Sequence, residues 1–76
     1  MNDFIVRIYN IERELKETTS IRLVGKESEG YVRNYYLNSK DLDKLPTLEG
    51  LKTGSYTLCM DTNEVHFFDE SNGSWL

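Results

Sequence analysis

Cys59 and His66 are the one cysteine and the one histidine in this chain, and they are the first residues that could do chemistry. A thiol beside an imidazole begins a nucleophilic pair, but the two must lie within hydrogen-bond reach and a third group must orient the base. They flank a short polar segment, Asp61-Thr62-Asn63-Glu64, so a hairpin would pair their strands. No third group is legible, and we read them as two ordinary strand residues. One histidine and one cysteine also fall short of a zinc ligand set. Asp61, Glu64, Asp69 and Glu70 cluster near two turns and carry oxygen ligands, but the regular calcium-loop spacing is absent. Aspartate at a turn more commonly accepts from the following backbone N–H groups. Asn72-Gly73-Ser74 fits a glycosylation sequon but is read as a turn. The sequence therefore predicts no catalytic residue, no metal and no cofactor.

The aromatic residues are the other candidates. Tyr31, Tyr35, Tyr36, Tyr56 and Trp75 carry large rings with polar tips, which serve cores and protein interfaces and can also stack on sugars. Tyr35 and Tyr36 are adjacent, so on a strand they face opposite sides.

The elements that must position these residues follow from composition. Val, Ile, Thr, Tyr, Phe and Trp make up 23 of the 76 residues, while Ala and Gln are absent, so the core should be mainly strand. A chain this short supports one small domain, 1–76, with a marginal core that favours a partner. No apolar run approaches the ~20 residues of a membrane span. Met1-Asn2-Asp3-Phe4 does not read as a signal peptide, so folding in a cytosol is expected.

Residues 4–9 (Phe-Ile-Val-Arg-Ile-Tyr) read as a first strand. Ile8, Ile11 and Leu15 then follow helical spacing, giving one short helix near 10–17 with Asn10 as N-cap and Glu12–Lys16 as an i, i+4 pair. Residues 21–24 and 31–37 read as strands joined by the polar connection 25–30. Residues 38–53 read as an ordered arm or long loop, in which Leu42, Leu45, Leu48 and Leu51 recur every three residues, as in a turn of helix or a docked strap. Tyr56, Leu58 and Met60 alternate with Thr57 and Cys59. A turn at 61–64, a return strand at 65–69, an Asn-Gly turn at 72–73 and Trp75-Leu76 complete a three-stranded meander across 55–76. The fold class is mainly β: two antiparallel units, the second ending in this meander. Such a sheet needs something to cover its apolar face.

Charge is uneven. Residues 1–38 hold six basic and six acidic residues, whereas 39–76 hold three and seven, and no basic residue follows Lys52. An acidic half of this kind repels a phosphate backbone, so no nucleic-acid partner is expected. Arg7, Arg22 and Arg33 are read as solvent-facing residues of a half-buried sheet.

The second half carries a recurring pattern: Leu37-Asn38-Ser39-Lys40-Asp41, Leu45-Pro46-Thr47, Gly54-Ser55, Asp61-Thr62, Val65-His66-Phe67-Phe68-Asp69 and Trp75. It resembles small proteins encoded among the virion structural genes of tailed bacteriophages and prophages. Those proteins show Leu-Pro-Thr, Gly-Ser before a strand, Asp-Thr-Gly at a turn, Val-Tyr-x-Phe-Asp in the return strand and a final Trp. Two departures are Asn63 in place of Gly and His66 in place of Tyr; Asn tolerates the left-handed turn.

The resemblance implies a non-enzymatic virion-associated structural or accessory role, in a protein made in the bacterial host cytoplasm. Its partners would be further copies of itself or a larger virion component, with no membrane involved. The interface candidates are Tyr35, Tyr36, Tyr56, Leu58, Met60, Phe67, Phe68 and Trp75, with Val65 beside them, divided between core and contact surface. The alternatives are a carbohydrate-binding or adhesion module and an acidic regulator of a host protein.

Overall fold

The computed structural model describes residues 3–76. Its elements run α1 (Asp3–Thr18), β1 (Arg22–Glu27), β2 (Val32–Leu37), β3 (Tyr56–Cys59), β4 (Val65–Asp69) and β5 (Ser74–Trp75). The five strands form one mixed sheet in the order β1-β2-β3-β4-β5. β1–β2, β3–β4 and β4–β5 pair antiparallel, and β2–β3 pairs parallel. The two antiparallel units expected from the sequence are present, and the parallel seam joins them into a single small α+β sheet.

The first segment corrects the expectation. Residues 4–9 are not a strand; they open a 16-residue helix that absorbs the short helix expected near 10–17. The buried stripe begins at Phe4 and Ile8 and continues through half-buried Leu15, a helical spacing that starts before Ile8. Val6 and Tyr9, which made the segment look β-rich, lie on the exposed side. Asn10 is mid-helix rather than a cap, and Glu12 turns inward to Arg33 instead of pairing with Lys16.

β1 also extends three residues past its expected end, with a bulge between Leu23 and Gly25. The β1–β2 turn is tight: Ser28, Glu29 and Gly30 all have positive φ. A Cβ on Gly30 would stand 2.7 Å from Ile5 of α1, so the turn backbone lies against the helix.

One sheet face is covered by α1 and by the 38–55 connection. Register places Tyr35 opposite Thr57, Leu37 opposite Cys59, Thr57 opposite His66 and Phe68 opposite Trp75, and all of these face the helix. Ile21, Tyr35, Leu37, Leu45 and Cys59 form one buried cluster, and Phe4, Ile8, Leu51 and Phe68 a second. The leucine strap opens with a 3-10 helical turn at Ser39–Lys44 and docks on the core, with Leu45 and Leu51 buried and Leu42 and Leu48 half-buried. Gly50, at φ 106°, lets the strap backbone press on Phe4, whose ring a Cβ would meet at 2.7 Å.

Trp75 packs against both clusters. Its ring stands edge-on to Phe68 at 5.4 Å and to Tyr35 at 6.2 Å, and its Nε1–H donates to the Pro46 carbonyl at 2.8 Å. This indole bolts the short last strand to the strap. Trp75→Ala removes the aromatic contacts and the hydrogen bond together and is expected to destabilise the fold by roughly 3–5 kcal/mol. Urea denaturation reads the change, and an unaltered midpoint would contradict this placement.

Candidate functional site

Among the described residues no helix covers the outer face of β3 and β4. Register sets Tyr36 opposite Leu58, Leu58 opposite Val65 and Tyr56 opposite Phe67, with Met60 just beyond β3. Tyr56, Leu58, Met60, Val65 and Phe67 are 36–54% exposed, and Tyr36 is half-buried. An antiparallel sheet facing water normally alternates apolar-in with polar-out. Here the outward positions of β3 and β4 are apolar as well, so the meander is greasy on both sides.

Strand alternation divides the eight interface candidates. Tyr36, Tyr56, Leu58, Met60 and Phe67 come together on this outer face. Tyr35, Phe68 and Trp75 belong to the covered side: Tyr35 and Phe68 are fully buried and Trp75 is wedged between core clusters, which removes all three from the contact surface. Asn63, at φ 62°, makes the left-handed turn between β3 and β4, its N–H donating to the Cys59 carbonyl at 2.7 Å.

A second feature lies on the helix side, between α1 and β1. A cleft of about 650 Å³ opens there, with Tyr9, Arg13 and Lys16 on one wall and Arg22, Leu23 and Lys26 on the other. Glu12, Arg33 and Tyr35 lie at its base. Arg33 is not the solvent-facing strand residue expected. Its Nε–H donates to Glu12 Oε2 at 2.9 Å, its second guanidinium nitrogen completes the bidentate pair, and Nη1 donates to the Gly30 carbonyl at 3.2 Å. The Tyr35 hydroxyl donates to the same Glu12 carboxylate.

Burial opposes the Arg33 charge, but the paired carboxylate more than offsets it and its pKa is raised. Burial, reinforced by Glu12, pushes the Tyr35 phenol far above its ordinary value, so it remains a donor. Arg22 is also held in place, with Nη1 donating to the carbonyls of Thr19 and Ile21 at 2.8 Å. The cleft escaped the sequence reading because half of it depends on the helix. Tyr9, Arg13 and Lys16 are spaced i, i+4, i+7, and share a side only once residues 3–18 are one helix.

The cysteine and histidine do not form a pair. His66 lies opposite Thr57, and its Nδ1–H donates to the Leu76 carbonyl at 2.7 Å. His66 Nε2 and Thr57 Oγ1 are buried without a hydrogen-bond partner among the described residues. Burial pushes the Cys59 thiol up, away from the thiolate.

Three of the four acidic residues near the turns accept hydrogen bonds within the fold. Asp61 accepts from Ser39, Asp69 from Ser71 and Asn72, and Glu70 exchanges bonds with Thr53. The Ser39 contacts lower the Asp61 carboxyl, and Ser71 first, then Asn72, lower that of Asp69. Among the described residues no group of three or more His, Cys, Asp or Glu converges as a metal site, and no helix is long and apolar enough to cross a membrane.

Asp41 has a structural task that the sequence did not announce. It accepts from the Ser20 N–H at 2.9 Å and the Ser20 hydroxyl at 2.6 Å, while Ser20 Oγ accepts from the Asn38 N–H at 2.8 Å. The link between α1 and β1 is thereby tied to the start of the strap. The Ser20 hydroxyl and N–H hold the Asp41 carboxyl at about 2, against an ordinary value of 3.8.

Comparison with protein-family models, with curated proteins and with solved structures returned no match.

Two outcomes follow for these polar ties. Glu12→Ala leaves Arg33 buried without its partner and is expected to cost about 3–5 kcal/mol. A loss under ~1 kcal/mol in chemical denaturation would mean that water reaches the guanidinium. Asp41→Asn tests the other tie through pH. A carboxyl lowered on folding stabilises above its unfolded pKa, and that stabilisation fades as pH falls through the folded value. The variant should melt below the wild type at neutral pH, with the gap closing between 3.8 and about 2. A gap constant across that range would contradict the assignment.

Proposed function

We propose that this chain is a non-catalytic protein–protein contact module acting through the outer face of β3 and β4. Its setting would be a bacteriophage or prophage particle, as a virion-associated structural or accessory component made in the host cytoplasm. The observation that supports the contact role is the bare apolar face itself. Side chains of Tyr56, Leu58, Met60, Val65 and Phe67 sit in water on one contiguous surface, and burying them against protein is the favourable step. A standard interface takes ~800 Å² from each partner, about one-sixth of the chain's 4879 Å² of accessible surface. The virion setting is supported by the sequence pattern of residues 37–75.

The aromatic geometry favours protein over sugar. Tyr56 and Phe67 meet edge to face, with planes inclined at 62° and centroids 6.4 Å apart. Sugar stacking wants a flat platform of coplanar rings, whereas an edge-to-face pair suits an apolar protein contact.

Leu58→Lys places a charge in the middle of this face without touching the core. The wild type should sediment as a species heavier than 8.9 kDa at micromolar concentration, and the variant as a folded monomer whose stability differs by under ~0.5 kcal/mol. An association that survives Leu58→Lys unchanged would remove this face from the function. Mass spectrometry of purified particles tests the setting, and absence of the chain from them would refute it.

A further inference from the structure

The first 38 residues balance six basic against six acidic residues, yet the fold sorts them. Arg13, Lys16, Arg22, Lys26 and Arg33 all line the cleft between α1 and β1, and among the described residues Glu12 is its one carboxylate. Glu12 is already taken by Arg33 and Tyr35. Among the described residues, Arg13, Lys16, Arg22 and Lys26 make no ion pair; the two pairs present are Arg33–Glu12 and Lys44–Asp41. Four like charges around a concavity repel one another and focus a positive potential there. The chain as a whole carries -4, so this is a local field of the opposite sign.

The counterpart is on the same molecule. Residues 53–76 carry Asp61, Glu64, Asp69 and Glu70 and no basic residue. These carboxylates flank the bare apolar face at the ends of β4. Both surfaces have apolar ground between their charges: Tyr56, Leu58, Val65 and Phe67 on one, exposed Tyr9 and Leu23 on the other. The cleft opens between α1 and β1, whereas the apolar face of β3 and β4 lies on the side of the sheet away from the helix, so a neighbouring copy can present one to the other.

We propose that copies of this chain associate head to tail, the acid-rimmed apolar face of β3 and β4 on one copy docking at the cationic cleft between α1 and β1 of the next. The inference rests on the protein-contact reading above and names its partner as a second copy. A two-fold contact of the acidic face with itself would set carboxylates against carboxylates, whereas the head-to-tail contact opposes unlike charges. Strand addition at the edges is obstructed: β1 is bulged and carries Arg22 and Lys26, and β5 is two residues long. A heterologous contact leaves one unused surface at each end and continues into a ring or a filament.

Sedimentation velocity on the full chain tests this with two folded variants. Lys16→Glu/Lys26→Glu inverts the cleft, and Glu64→Lys/Phe67→Lys inverts the face; all four side chains are exposed. Circular dichroism melts confirm that each variant is folded. Wild-type assemblies should grow with concentration and weaken at least tenfold in affinity between ~20 and ~500 mM salt. Each variant alone should be monomeric, or weakened by a comparable factor. An equimolar mixture of the two should associate again, because the intact face of one meets the intact cleft of the other and the inverted cleft opposes an inverted face of unlike charge.

A monomeric wild type at low salt overturns the proposal. So does a closed dimer that the cleft variant leaves unchanged and the face variant abolishes, although that outcome would leave the face as a contact surface. Assembly indifferent to both variants would overturn the head-to-tail contact and the role of the face together.

Discussion

The Glu12 carboxylate holds the helix to the sheet. It receives the bidentate Arg33 guanidinium, whose charge β2 would otherwise bury without a counter-charge, and the Tyr35 hydroxyl. A buried ion pair of this kind adds little against a well-packed apolar alternative, but losing one member is costly. Its effect is therefore on specificity: α1 can settle with Glu12 over Arg33 and in no other rotation without stranding a charge. That rotation places Phe4 and Ile8 in the core. It also brings Tyr9, Arg13 and Lys16 to the cleft.

The second half of the chain was largely legible in its sequence. Alternation through Tyr56–Met60, the left-handed Asn63 and the Asn72-Gly73 turn are local signals, and each meander strand is specified by its immediate neighbours. The first half was not. Residues 4–9 satisfy a strand by composition and a helix by spacing, and the choice is made by what they pack against. Phe4 and Ile8 find Leu51 and Phe68, more than forty residues away. A window of six residues carries no trace of that.

The site was legible in the same proportion. Outward positions on β3 follow from alternation once the strand is recognised, so Tyr56, Leu58 and Met60 were identifiable together. That Tyr35, rather than Tyr36, would be the buried member of its pair was not, because it depends on which face the helix covers. The cationic cleft was invisible because its walls come from different elements. Arg33, expected in solvent, is neutralised at the cleft's base, while the cations left around it are the ones that average to nothing in the sequence.

The parallel seam between β2 and β3 has a kinetic consequence. Every other strand pair is adjacent along the chain and closes a short loop, so each can form early. Pairing Asn34 with Tyr56 must instead draw in the whole strap, an entropic toll that no nearby contact defrays in advance. Two quickly formed hairpin halves would then wait on one slow union. During that interval both flanks of the meander are wet, and a nascent chain is most prone to meeting a neighbour too soon.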